Sequence, residues 1–209
     1  LTAGLKAARP DVAFILTPTA THRPLVALAA GHGCAVLCEK PVAGTLRDAE
    51  AILRIVETTR IPFMTGHVLR WFPEFMRLRR LVLEGSLGTP AVARLSRGGG
   101  VPEGSGGWYA RGSGGPLLDL SIHDFDWLRW TFGPVDRVFA RRANRGRNPK
   151  QECALTLLRH RAGPIAHVEG AWGHGRPFRV TAEIAGSKGL AEFDSAKQVS
   201  LEIRSTTTT

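Results

Sequence analysis

No stretch of this sequence approaches the roughly 18 uninterrupted apolar residues that a membrane helix needs, so a helical membrane span is not expected. Residues Leu1 to Asp11 carry no long apolar core, which argues against a secretory signal within them. Cysteine is scarce: Cys34, Cys38 and Cys153 are the three in 209 residues, and no two form a C-x-x-C pair. A zinc knuckle and a thioredoxin-like motif are thereby excluded, and an odd number cannot all pair. Cys34 and Cys38 lie in an apolar run and read as small buried hydrophobes. A reduced, cytoplasmic compartment is the corresponding expectation. Acidic residues are outnumbered, 18 to 28, giving a net charge of +10, yet only 5 of the 28 cations are lysines. The densest cationic stretch, Arg137, Arg141, Arg142, Arg145, Arg147 and Lys150, reads as a solvated hairpin tip. Such a tip could touch phosphates. Without a helix-turn-helix, finger spacing or aromatic-studded sheet motif beside it, no nucleic-acid partner is expected. The chain opens on Leu1 instead of Met and closes on Ser205 followed by four threonines, so both ends read as cuts.

What is present is ordinary for a globular protein: 43% hydrophobic and 22% charged residues, in a chain long enough for one large domain or two modest ones. The first part alternates short apolar strands with helices. Val12–Leu16 is a continuous apolar run ended by Thr17-Pro18, and a helix follows from about Arg23 to Ala30, closed by Gly31 and Gly33. Ala35–Cys38 is the next strand. Thr45 and Asp48 form a capping-box-like start for an amphipathic helix reaching about Thr58, and Ile61–Thr65 is a third strand. Short strands buried on both faces and joined by helices predict a parallel α/β sheet.

The later part reads differently. Pro73 opens a helix ending near Gly85, and Leu118–Phe132 is a further helix stopped by Gly133-Pro134. From Asp136 onward apolar residues recur with period two, with Gly-Pro and Gly-Ser turns at hairpin spacing, which predicts an antiparallel sheet covered on one face by the Leu118–Phe132 helix. The fold class is therefore α/β. Residues 1–66 are expected to form a parallel-sheet unit, and residues 67–209 an α+β domain with a mostly antiparallel sheet.

Four clusters could carry chemistry. Thr17-Pro18-Thr19-Ala20-Thr21-His22 stands at the carboxyl end of a strand, where open parallel sheets hold ligands; by itself it equally reads as an ordinary Pro turn. Glu39-Lys40-Pro41 stands at the end of the next strand. An ammonium there can stabilise an alkoxide as hydride departs, although a solvated strand end would look the same. Asp119 and His123, four apart, share one helix face with Asp126. A histidine with a carboxylate one turn away suits proton transfer; the alternative is a hydrogen-bonded buried histidine. With no third ligand in view, a metal is not expected. Gly66-His67-Val68-Leu69-Arg70-Trp71-Phe72-Pro73 lies at the domain boundary, where sites often form, yet packing would also account for Trp71 and Phe72.

In this order and spacing, T-P-x-x-x-H, C-E-K-P, G-H-x-x-R-W-x-P and G-G-x-x-x-D-x-x-x-H-D resemble the Gfo/Idh/MocA oxidoreductases, the glucose–fructose oxidoreductase and inositol dehydrogenase type, from Asp11 to about Asp194. The resemblance implies that residues 1–66 are the C-terminal half of a Rossmann-type dinucleotide-binding domain and residues 67–209 an α+β domain with an open, mostly antiparallel sheet, incomplete at its C-terminus, with NAD or NADP as cofactor and a sugar, inositol or related polyol as substrate. It gives Lys40, before a cis Lys-Pro bond, a place at both substrate and nicotinamide. It makes His123 the proton acceptor, tuned by Asp119. It lines the cofactor with Thr17, Pro18, Thr19, His22, Glu39, Lys40 and Pro41. Arg70, Trp71 and Trp108 are candidate substrate contacts, and a dimer or tetramer through the C-terminal sheet is expected. Two rivals share the fold: a glycoside hydrolase using NAD for transient oxidation, and a non-catalytic binding relative. The family's G-x-G-x-x-G loop is absent from these residues, and about 60 residues, two βα units at about 30 each, would supply it. The chain as given is therefore expected to bind dinucleotide poorly, to lack dehydrogenase activity, and to self-associate through an exposed Val12–Leu16 edge.

Overall fold

The computed structural model describes residues 1–100, 114–144, 152–173, 175 and 177–205. They fall into two compact units that divide at His67/Val68. Lys150, with Arg145 and Arg147, lies outside the described residues, as does Trp108.

The first unit runs α1 (Thr2–Ala8), β1 (Val12–Ile15), α2 (His22–Ala30), β2 (Ala35–Cys38), α3 (Leu46–Thr59) and β3 (Phe63–Thr65). Its strands are parallel in the order β1-β2-β3, with Ile15, Cys38 and Thr65 in one row. Thr45 caps α3: its Oγ1 accepts from Asp48 N at 3.1 Å, the N-cap bond that the T-x-x-D spacing predicts, and donates to Asp48 Oδ2 at 2.8 Å. Successive β-α-β connections turn the same way, so both helices land on one face. There Ile15, Val36 and Cys38 pack with Val26, Ala29, Ala30 and Ile52. The other face is open, in line with the exposed Val12–Leu16 edge expected for these residues: Val12, Phe14 and Met64 are exposed, Phe14 to 65%. β1 is an edge, as its lone pairing with β2 requires.

The second unit comprises α4 (Pro73–Leu83), β4 (Pro90–Gly99), a π-helical turn (Leu117–Ser121), α5 (Ile122–Phe132) and strands β5 (Val135–Asn144), β6 (Glu152–His160), β7 (Ile165–Trp172), β8 (Arg179–Gly186), β9 (Gly189–Asp194) and β10 (Leu201–Ser205). Its sheet has seven strands in the order β10-β9-β8-β4-β7-β6-β5, and all pairings are antiparallel except β4 with β7. Two expectations need correction. Arg137, Arg141 and Arg142 stand on strand β5, paired along β6, and not in a hairpin tip. The helix expected from Leu118 is interrupted, because its start is a π-helical turn pressed onto Gly170 of β7. The core lies between one sheet face and helices α4 and α5, where Phe75, Leu78, Trp127, Leu128, Leu95, Val168, Ile184 and Phe193 are buried. Trp127 Nε1 donates to Phe75 O at 3.1 Å, so the indole is satisfied inside the core.

His160 closes this core beyond α5. It is 1% exposed, its Nδ1 lies 3.0 Å from Gly133 O, and its ring packs edge-on to Phe132. Burial lowers its pKa from the usual 6.5, Arg129 adds to the fall, and the Gly133 bond partly opposes it. The unfolded chain therefore takes up a proton that the folded one resists. Stability is expected to fall as pH drops below about 6.5 towards the lowered folded value. Urea midpoints measured across that range should be flatter in His160→Gln; an equal slope would assign the acid sensitivity elsewhere.

Candidate active site

In the first unit the carboxyl ends of the strands build a polar rim. Thr17 O lies 2.8 Å from His22 Nε2, Thr17 and Thr21 hydroxyls meet at 2.7 Å, and Pro18 O accepts from Thr21 N at 2.8 Å. Thr17 and Pro18 are exposed and Thr19 half-buried. His22 is 1% exposed, with Nδ1 3.2 Å from Val42 O. Its ring thus braces the Thr17 loop against the chain just past Pro41. At the end of β2, Glu39 Oε2 accepts from Lys40 N at 3.0 Å, and the Lys40–Pro41 bond is cis. Pro41 is buried and Lys40 half-buried. A methyl group on Gly66 would rest 3.4 Å from the Glu39 carboxylate, at ordinary contact distance, so Gly66 lies directly beside it. Burial, with Glu39 adjacent, pushes the Cys38 thiol up to about 11 and keeps it protonated, in keeping with a structural thiol.

In the second unit the π-helical turn and the first turn of α5 carry Asp119 and His123. The turn is held from below by β7. Asp119, 6% exposed, accepts from Trp172 Nε1 at 3.2 Å through Oδ2. A methyl group on Gly170 would collide with Ser121 Oγ and come within 3.1 Å of Pro116 O, so glycine permits the close approach. π-Helical turns inside helices often mark functional positions. Trp172 also packs against Phe178, their rings 5.9 Å apart. Next to His123, the Asp124 carboxylate is gripped by Arg97: Nε donates to Oδ2 at 2.7 Å and Nη2 to Oδ1. Burial raises the Asp124 pKa, and the Arg97 charge and hydrogen bonds work against that rise. Arg70, a candidate substrate contact, donates from Nε and Nη2 to Asp126 at 2.8 and 2.7 Å. Trp71 is 64% exposed. Arg97, Trp172 and Gly170 escaped the sequence reading; a cation followed by three glycines and an aromatic at a strand end were the only signals.

The first unit thus presents a lysine at the carboxyl rim of its parallel sheet, and the second a buried carboxylate one turn before a histidine. Comparison with known proteins gives the family. Residues 2–67 match the description "Oxidoreductase family, NAD-binding Rossmann fold", and residues 75–192 match "GFO/IDH/MocA C-terminal domain". The chain belongs to the Gfo/Idh/MocA oxidoreductase family. It is 30% identical to a D-apiose dehydrogenase of Paraburkholderia graminis, over 98% of this chain and 56% of that protein. It is also 30% identical to an inositol 2-dehydrogenase of Rhizobium meliloti, over 94% of this chain and 61% of that protein. Among solved structures it resembles an oxidoreductase from Agrobacterium radiobacter in complex with NAD+, L-tartaric acid and magnesium: TM-score 0.81, 28% identity, 93% of this chain and 60% of that one. The chain thus spans roughly three-fifths of these relatives' length. The family's cofactor is a nicotinamide dinucleotide, and the rim fits its nicotinamide end: exposed Thr17 and Pro18, and an ammonium beside buried Pro41. No helix among the described residues is long and apolar enough to cross a membrane.

Proposed function

We propose that this protein oxidises, reversibly, a secondary hydroxyl of a sugar, inositol or related polyol, in the cytoplasm, with NAD or NADP. The observation that carries the reading is Asp119, buried and oriented by Trp172 one helical turn before His123. Bound dinucleotide would supply the hydride acceptor, its nicotinamide end held by Thr17, Pro18, Thr19, Glu39, Lys40 and Pro41. His123 takes the hydroxyl proton. Lys40 stabilises the negative charge that gathers on the same oxygen as the carbon–hydrogen bond breaks and the carbonyl forms. Asp119 holds the imidazole in the orientation that accepts the proton and steadies its charged form. Several copies would associate through the open face of the large sheet, where Phe139, Leu155, Leu157 and Ile165 are exposed.

The test pairs cofactor with substrate. Myo-inositol and D-apiose, taken from what the relatives act on, are offered with each oxidised cofactor to the enzyme completed with a G-x-G-x-x-G segment, and the reduced form is followed by its absorbance. Turnover with a polyol and no release of aglycone from glycosides supports the reading. Hydrolysis without net reduction would replace it with the hydrolase, and no turnover of either kind with a binding protein. In calorimetry the 209-residue chain is expected to bind NAD more weakly than about micromolar, since its sequence carries no G-x-G-x-x-G pattern to cradle the pyrophosphate.

A further inference from the structure

We propose that two arginine–aspartate forks, Arg97–Asp124 and Arg70–Asp126, set the rotation of α5 and thereby aim His123. The inference rests on the reading of His123 as the proton acceptor, and it turns Arg70 from a substrate contact into a positioning residue.

Apolar packing sets the coarse rotation of this helix: Trp127, Leu128 and Phe132 are buried on one face, while Ile122, Phe125 and Trp130 are only partly buried. Apolar contacts tolerate small shifts about that setting, whereas a guanidinium meets a carboxylate in two parallel bonds with one geometry. Asp124 and Asp126 are two residues apart, about 200° of helical rotation, so the forks hold α5 from nearly opposite sides. His123 lies on the arc between them. One fork comes from the sheet: Arg97 of β4, with side-chain exposures of 6% for Arg97 and 1% for Asp124. The other comes from the short 3-10 helix Val68–Trp71, with side-chain exposures of 41% for Arg70 and 13% for Asp126. Arg70 also lies 5.5 Å from the Trp130 ring, which limits its swing.

The buried fork is the more telling. An ion pair in a low-dielectric interior gains little net stability over apolar residues of the same volume. Its use here is directional. A misplacement of about 1 Å at a reacting group can lower a rate by about 10²-fold, so holding the imidazole to one rotation has a kinetic consequence that stability does not report.

The test uses the 209-residue chain and its imidazole signals in proton–carbon correlation spectra, with the His123 signal assigned by His123→Asn. Wild type is expected to give one sharp His123 signal. R97M/D124L and R70M/D126L should fold and melt near wild type, yet broaden that signal by about twofold or split it, as expected for several helix rotations, while the His160 signal stays put. Should an apolar pair fail to fold, Arg97→Lys and Arg70→Lys keep the charge and lose the fork, and the same broadening is expected. An unchanged His123 signal in folded variants overturns the proposal. In the active dehydrogenase, the variants should lose about tenfold in kcat with KM nearly constant. A rise in KM alone for Arg70→Met would return Arg70 to the substrate. If His123→Asn itself keeps turnover while the spectra behave as expected, the functional reading fails and the forks stand.

Discussion

In the enzyme completed with its G-x-G-x-x-G segment, substitution of Lys40 by methionine is expected to lower polyol turnover by about 10²–10³ while leaving the fold intact, the usual cost of removing one preorganised charge-stabilising donor. Methionine keeps the unbranched stem and removes only the charged head. The turn around Lys40 depends on its backbone: its N–H donates to Glu39 Oε2, Glu39 N bonds Ile15 O at 3.0 Å, and Gly66 N bonds Cys38 O at 2.8 Å. None of these uses the ammonium. The ammonium acts most strongly once negative charge has gathered on the substrate oxygen, so the loss should fall on kcat and leave KM comparatively unmoved. Steady-state kinetics with myo-inositol or D-apiose, beside a thermal melt, would measure both. Retention of more than about a tenth of wild-type turnover would remove Lys40 from the chemistry, since a preorganised donor is worth more than that.

The parallel unit was legible because its signals are local. Val12–Leu16 and Ala35–Cys38 are apolar, Thr45 and Asp48 announce a helix start, and each run appears as a strand or helix within a residue or two. The exposed edge at β1 was expected; which of its faces the helices cover was not legible, because the same apolar run serves a strand covered on one side or on both. In the second unit the hairpin strands showed their period of two, but β4 showed it only in part. Arg94 and Ser96 do alternate with Ala93 and Leu95, but Arg97 breaks the pattern with a charge at a buried position and Gly98–Gly100 imitate a loop, although the strand runs through the middle of the sheet. What makes that position tolerable for Arg97 is Asp124, a partner 27 residues away that no local pattern reveals. The site shows the same division. Asp119 and His123 announce themselves by spacing, whereas Trp172 is 53 residues from the carboxylate it orients. Arg70 looked available for substrate until the fold placed Asp126 against two of its donors.

His123→Asn should lower turnover by about 10²–10⁴, the range for losing a positioned proton acceptor. Asparagine fits the half-buried site and keeps hydrogen-bonding capacity, but it cannot take a proton at any working pH. Two signatures separate this role from packing. Oxidation by the wild-type protein should fall at acid pH, because a base that is already protonated cannot accept the hydroxyl proton. That limb should vanish from the kcat/KM profile of His123→Asn, leaving a low, flat acid side. The carboxylate supplies the second signature. Asp119 is 6% exposed and fixed by Trp172, and an ionised carboxylate near an imidazole favours its charged form. Asp119→Asn should therefore shift the acid limb to lower pH and cost rate, without abolishing the limb. Both profiles are measured with one polyol and saturating cofactor. An acid limb that persists unchanged in His123→Asn would assign the proton to another group and leave the Asp119–His123 pair as structure.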